Sequence, residues 1–103
     1  PRLQKFIDEG KRLHVIFGMV NDKDITHVVA LLPKQAHYYF TQASVNRALP
    51  AEKLWEIATN FNLKGSTFAS VKEAHQAARN NASPEDVIFI GGSTFVVADL
   101  LTP

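Results

Sequence analysis

Apolar residues along this chain alternate between two patterns, one typical of strands and the other of helices. Nearly continuous apolar or β-branched runs predict strands at residues 13–17, 36–41 and 87–90, with a shorter one at 66–68. The run at 87–90 is predicted to be the most clearly buried. Between the strands, apolar positions three and four residues apart predict helices, which carry Ile25, Val28, Val29 and Leu32, then Leu54, Ile57, Ala58 and Phe61, then Val71, Ala74, Ala77 and Ala78.

Residues with special backbone preferences mark where these elements begin and end. Pro33 is expected to stop the first of these helices, and Pro50 suits the first turn of the next. Residues 62–65 predict a turn. Ser70 and Glu73 form a capping-box pattern at the head of the following helix. A helix tail before residue 10 and a last helix after residue 93 complete the series.

The order of elements predicts the fold class. A helix is followed by strand and helix alternating four times, which implies right-handed crossovers between parallel strands. We therefore expect an α/β fold, with a Rossmann-like open, mostly parallel sheet and helices on both faces. A length of 103 residues suits a single domain over residues 1–103.

Composition narrows the classes of function. The chain is 46% apolar and 20% charged, with a formal net charge of +1, so no excess charge points to nucleic acid or a membrane surface. It has no cysteine, and its first residues lack a signal-peptide pattern, which favours the cytoplasm. Because it opens at Pro1, almost inside a helical pattern, we expect a fragment of a longer protein.

Three loops follow predicted strands and should share one edge of the sheet, because ligands of open parallel sheets bind at the carboxyl ends of strands. The first loop, residues 18–24, contains Asp22, Lys23 and Asp24. The second, residues 42–47, contains Asn46 and Arg47. The third is Gly91, Gly92 and Ser93.

Each loop has a ligand-binding interpretation and a plainer one. A helix N-terminus at Gly92 and Ser93 offers free N–H groups to an anion, although Ser93 could simply cap its own helix. Arg47 suits bidentate recognition of a carboxylate or phosphate, although it could be a solvated surface arginine. Lys23 could neutralise phosphate, whereas Asp24 could cap the next helix.

Other candidates are weaker. His14, His27, His37 and His75 lack metal-site spacing, so we predict no metal site, and Trp55 is expected in the core or at its rim. The chain has neither a G-x-x-x-x-G-K-[ST] loop nor a G-x-G-x-x-G motif, and it therefore shows no means of binding ATP by itself.

Three motifs, in order and spacing, resemble the C-terminal domain of folylpolyglutamate synthase/dihydrofolate synthase, of the Mur ligase superfamily. They are VIFGMVNDKD at 15–24, NRALP at 46–50 and FIGGS at 89–93. The resemblance implies one part of a cytoplasmic ligase in which a carboxylate of dihydropteroate or folate is phosphorylated by ATP and the amine of glutamate attacks the acyl phosphate. It also implies that ATP and Mg²⁺ are bound mainly by an N-terminal ATPase domain of the same polypeptide. The fragment alone is expected to be inactive and to hold no cofactor.

By this resemblance, glutamate is held by Arg47, Asn46, Gly92 and Ser93, while the loop of Asp22, Lys23 and Asp24 faces the nucleotide. No catalytic residue is assigned. The chain departs from the family where Val45-Asn46 replaces a common Ser-Pro and Gly91 replaces a common threonine.

Two other functions stay open. One is a free-standing, non-catalytic α/β module that binds a small anion or a partner protein. The other is the C-terminal domain of a cell-wall Mur ligase, which the lysine at position 23 disfavours because those enzymes usually have arginine there. A phosphate loop encoded upstream would exclude the free-standing module.

Overall fold

Four parallel strands form the sheet, as the alternating pattern predicts. The computed structural model describes residues 5, 7–20, 25–44 and 48–91. Its strands and helices, in chain order, are β1 (Leu13–Phe17), α1 (Ile25–Ala30), β2 (His37–Phe40), α2 (Ala51–Thr59), β3 (Lys64–Thr67), α3 (Val71–Asn81) and β4 (Val87–Gly91). The strand order is β3-β2-β1-β4, and all three pairings are parallel. The predicted α/β class is confirmed.

The two faces of the sheet are covered by different helices, because strand residues alternate between the faces. On one face, α1 and α2 pack on alternate residues of β1 and β2, a cluster that includes Val15, Tyr38, Val29 and Leu54. On the other face, α3 packs through Val71, Ala74 and Ala78 against Ile16 and Tyr39. The small side chains of α3 let this helix lie close to the sheet, as its sequence predicts.

The prediction that the run at 87–90 is the most buried strand was wrong. All five residues of β1 are buried, whereas β4 is only partly covered and its Phe89 is 40% exposed. In the described part of the sheet, β4 pairs with β1 alone and lies at an edge. An apolar sequence is typical of a strand that packs on both faces. The strand order determines how deeply that strand is buried, because an edge strand is covered less than a central one.

Several element boundaries also differ from prediction. The helix α1 ends at Ala30, three residues before Pro33, and Pro50 occupies the cap position of α2 rather than its first turn. The strand β3 begins at Lys64, inside the predicted turn. The capping box is confirmed, since the backbone N–H of Glu73 donates to Ser70 Oγ at 3.2 Å. None of the helices in the described ranges has the length and apolar character needed to cross a bilayer.

Candidate functional site

The carboxyl ends of all four strands are joined by hydrogen bonds just beyond the regular ladder. The backbone N–H of Thr41 donates to Phe17 O at 2.9 Å, and its hydroxyl donates to Phe68 O at 3.1 Å. On the other side of β1, the N–H of Gly18 donates to Gly91 O at 3.4 Å. Thr41 is fully buried. This edge, which we call the carboxyl edge, therefore has a fixed backbone from which the three candidate loops depart.

The first two loops are also tied to each other. Val20 and Ala48 form an isolated antiparallel bridge, and the N–H of Leu49 donates to Met19 O at 2.8 Å. The side chain of Gln42 accepts from the N–H of Ala51 at 2.8 Å and so caps the start of α2, where Pro50 offers no side-chain cap. Both flanks of the second loop are thereby anchored, one of them directly to the first loop.

All the residues predicted to contact ligands lie outside the described residues, namely Asp22, Lys23, Asp24, Asn46, Arg47, Gly92 and Ser93. Their described neighbours are nevertheless brought together: Val20 bridges Ala48, and Gly18 bonds to Gly91. The assignment of individual ligands to these side chains stays a prediction. What the structure shows is that described residues next to these positions lie together at the carboxyl edge.

A side chain at position 91 would meet a neighbouring side chain of the same strand. A Cβ atom built on this glycine would meet the ring of Phe89, at 3.0 Å from Cζ and closer still to Cε2. Phe89 and Gly91 are two residues apart on one strand and therefore face the same side of the sheet. A side chain at position 91 would therefore require the Phe89 ring, which is 40% exposed, to turn away.

A buried polar chain at the opposite, amino edge of the sheet was missed by sequence reasoning. His14 is 1% exposed, and its Nδ1 lies 2.9 Å from Tyr39 Oη while its Nε2 lies 2.9 Å from Asp86 Oδ2. Asn81 Nδ2 donates to Tyr39 Oη at 3.4 Å. A histidine inside an otherwise apolar buried strand was the available signal, because a buried polar group needs partners.

Both ring nitrogens of His14 take part in this chain of hydrogen bonds. Asn81 donates to the Tyr39 oxygen, that oxygen is hydrogen-bonded to Nδ1 of His14, and Nε2 of His14 is hydrogen-bonded to the Asp86 carboxylate. With both ring nitrogens used inside the protein, His14 is a structural residue, in agreement with the role expected for the histidines.

Asp86 is held as a carboxylate by its neighbours. The hydrogen bond from the backbone N–H of Ser83 is the main cause that lowers its pKa, followed by the bond from His14, while Arg12 adds attraction at 3.9 Å. These contacts connect the turn before β4 to the start of β1, because Asp86 immediately precedes β4.

The lowered pKa of Asp86 predicts an acid-dependent loss of stability. A group whose pKa is lower in the folded state stabilises the fold above its unfolded-state pKa, and this stabilisation is lost as the pH falls through the folded-state pKa. The melting temperature should therefore fall more steeply below about pH 4 for the wild-type chain than for Asp86→Asn, measured by circular dichroism. Parallel curves from pH 7 to pH 2.5 would contradict this assignment.

No group of three or more histidine, aspartate or glutamate side chains is placed to hold a metal ion within the described ranges. Trp55 lies at the rim, as expected; it is 40% exposed, and its indole N–H donates to Gly65 O at 3.2 Å. Gly65 lies in β3, which is an edge strand of the described sheet. The indole therefore covers one carbonyl group that an unpaired edge would leave open.

The family follows from comparison with known sequences. The family described as "Mur ligase, glutamate ligase domain" matches residues 2–94. The chain belongs to this family. A glutamate ligase domain is what the three sequence motifs predict, and the match spans the carboxyl edge and all four strands of this member.

Relatives of this glutamate ligase domain include folate enzymes. The chain is 32% identical, over 94% of its length and 22% of the relative, to the dihydrofolate synthase/folylpolyglutamate synthase of Escherichia coli. The solved structure of E. coli FolC with DHPP and ADP matches with a TM-score of 0.75 and 33% identity, over 84% of this chain and 20% of that one. The Yersinia pestis bifunctional enzyme with AMPPNP and Mn ion matches with a TM-score of 0.75 and 26% identity, over 94% and 22%.

The chain spans between 11% and 23% of the length of the curated relatives that it matches. The resemblance to the C-terminal domain of folylpolyglutamate synthase/dihydrofolate synthase is confirmed by this agreement in sequence and fold.

Proposed function

We propose that this chain is the C-terminal, glutamate-engaging domain of an ATP-dependent ligase that joins glutamate to dihydropteroate or folate. The observation that carries the proposal is that the described residues flanking the three candidate loops meet at the carboxyl edge of a glutamate ligase domain. The named relatives are folate ligases, which favours this function over a cell-wall ligase and over a free-standing module. Their greater length supports an N-terminal ATPase domain in the same polypeptide.

The role of the domain follows from the reaction. A substrate carboxylate takes the γ-phosphoryl group of ATP, the glutamate amine attacks the acyl carbon, and phosphate leaves as the amide forms. Glutamate brings two carboxylates that must be held while its amine stays free, so the domain needs cationic and N–H donors. Arg47 would supply the fork, and Gly92 and Ser93 would supply N–H groups at a helix start, with Asn46 beside them. The hydroxyl of Ser93 would donate a further hydrogen bond to a glutamate carboxylate.

The loop of Asp22, Lys23 and Asp24 is assigned to the nucleotide side of the same cleft. Lys23 would neutralise phosphate charge, and the aspartates would bind a water of the Mg²⁺ shell. Support comes from relatives solved with ADP or with AMPPNP and Mn ion. Because the phosphate-loop motif is absent from this sequence, the ATP and Mg²⁺ of the ligase are assigned mainly to the N-terminal domain.

The test is glutamate binding to the full-length ligase with Ser93→Ala. Losing one hydroxyl hydrogen bond should weaken glutamate affinity about 2- to 10-fold, because such a bond contributes about 0.5–1.5 kcal/mol. Calorimetry with the nucleotide and folate sites filled measures this directly. Ser66→Ala, an exposed serine of β3, is the matched control and should leave affinity unchanged.

Two results would separate the alternatives. Ligation assays of the full-length protein should yield product from dihydropteroate or folate and none from a cell-wall precursor, while the 103-residue chain alone should yield none with ATP, Mg²⁺ and glutamate. Product from the isolated chain would contradict the assignment of ATP and Mg²⁺ binding to the N-terminal domain. Unchanged glutamate affinity in Ser93→Ala would overturn the assignment of Ser93.

A further inference from the structure

A second concave site lies at the amino edge of the sheet, at the opposite end of β1 and β2 from the candidate loops. It has a volume of about 230 Å³. Its lining includes His14 of β1 and His37 of β2, together with Arg12 and Lys34 from the segments just before these strands. We propose that this amino-edge pocket binds a phosphate group, either as free phosphate or as the phosphate of a small metabolite. The proposal is independent of the proposed function, because the pocket lies away from the glutamate and nucleotide loops.

Arg12 lines the pocket, and its N–H donors are not taken by hydrogen bonds to the neighbouring carboxylate of Asp86. Its Nε lies 3.9 Å from Asp86 Oδ2, which is beyond hydrogen-bond range, and its side chain is 66% exposed. Asp86 meanwhile accepts hydrogen bonds from the Ser83 N–H and from His14. The guanidinium is therefore oriented by charge, while its N–H donors are not consumed by that ion pair.

His14 closes the inner wall of the pocket without being a ligand. Both of its nitrogens are hydrogen-bonded within the protein, so it presents only ring carbon to the pocket. The ring of His37 lies beside it, with centroids 6.0 Å apart. Binding would therefore depend on Arg12 and Lys34, with His37 as a third donor at the rim.

The arrangement suits phosphate better than a single carboxylate. Two cationic side chains from separate segments line one small volume, and a phosphate carries close to two negative charges at neutral pH with oxygens in several directions. An arginine fork beside a lysine point charge matches that geometry. A volume of about 230 Å³ leaves room for one phosphate with part of its hydration.

The experiment titrates the ¹⁵N-labelled full chain with sodium phosphate, with ionic strength held constant by sodium chloride. Saturable shifts are expected at the backbone amides of residues 12–14 and 34–37. Lys34→Gln should weaken the binding at least fivefold, because it removes one of the two cations that line the pocket. Lys53→Gln removes another exposed lysine, from α2, and should change the affinity less than twofold. Arg12→Gln removes the other of these two cations and should also weaken the binding.

Parallel titrations identify the source and the chemistry. Stronger binding of phenyl phosphate than of inorganic phosphate would support a phosphorylated metabolite, and the reverse would support free phosphate. Acetate binding as strongly as phosphate would overturn the proposal. Shifts that do not saturate, that fall at the carboxyl edge, or that are the same in Lys34→Gln and Lys53→Gln would show an adventitious ion only, and would also overturn it.

Discussion

Replacing Arg47 by alanine in the full-length ligase is expected to raise the dissociation constant for glutamate roughly 10- to 100-fold. The physical reason is the loss of a charge-assisted, two-pronged contact with a carboxylate, which contributes about 1.5–3 kcal/mol. The structure ties this loop's far flank to the first loop through the Val20–Ala48 bridge. The substitution Arg47→Ala should therefore remove ligand contacts and leave the fold intact.

Calorimetry and steady-state kinetics would check this result together. The KM for glutamate should rise with its dissociation constant, whereas the KM for ATP should stay within about twofold. Arg79→Ala removes an exposed arginine from the last turn of α3, away from the carboxyl edge, and is the matched control. Equal glutamate affinity in Arg47→Ala and Arg79→Ala would remove Arg47 from the proposed site. The conservative variant Arg47→Lys should keep the charge but only part of the affinity, because lysine lacks the fork.

Replacing Gly65 by alanine is expected to destabilise the fold by about 3 kcal/mol. A Cβ atom at this position would lie 2.7 Å from the carbonyl carbon of Tyr38 and closer still to its oxygen. Tyr38 and Gly65 are register partners between β2 and β3, so the obstacle is the backbone of a neighbouring strand, which cannot rotate away. Either β3 moves outward or the pairing is lost.

Gly91→Ala is the matched control for this prediction. There the three atoms nearest to the added methyl group all belong to the ring of Phe89, which is 40% exposed and can turn to another rotamer at a cost of about 1 kcal/mol. Urea denaturation of both variants, with the slope compared to that of the wild-type chain, measures the difference. Similar losses of unfolding free energy in the two variants would show that β3 shifts freely and that the close approach to Tyr38 does not limit the residue at position 65.

The sequence was sufficient for the features that depend on local pattern. The apolar run of β1, the small face of α3 and the Ser70 cap are each encoded within a few residues, and each is present. The shared carboxyl edge was predictable too, because parallel strands place their ends together whatever the strand order.

Features that depend on strand order were not predictable. The pairing of β1 with β4 brings His14 to Asp86 across 72 positions of sequence, and no local pattern encodes that contact. The same is true of the burial of β4, which its apolar composition overstated. The bridge between Val20 and Ala48 likewise joins two loops that nothing in the sequence pairs.

The bridge between the first two loops and the hydrogen bond beside it affect which substitutions this domain can accept during evolution. The contacts that anchor the first two loops, from Met19 to Leu49 and from Val20 to Ala48, join backbone groups, and backbone groups are the same for almost every amino acid. Substitutions between the anchors leave them in place. The ligand preferences of these loops can therefore change without rebuilding of the sheet.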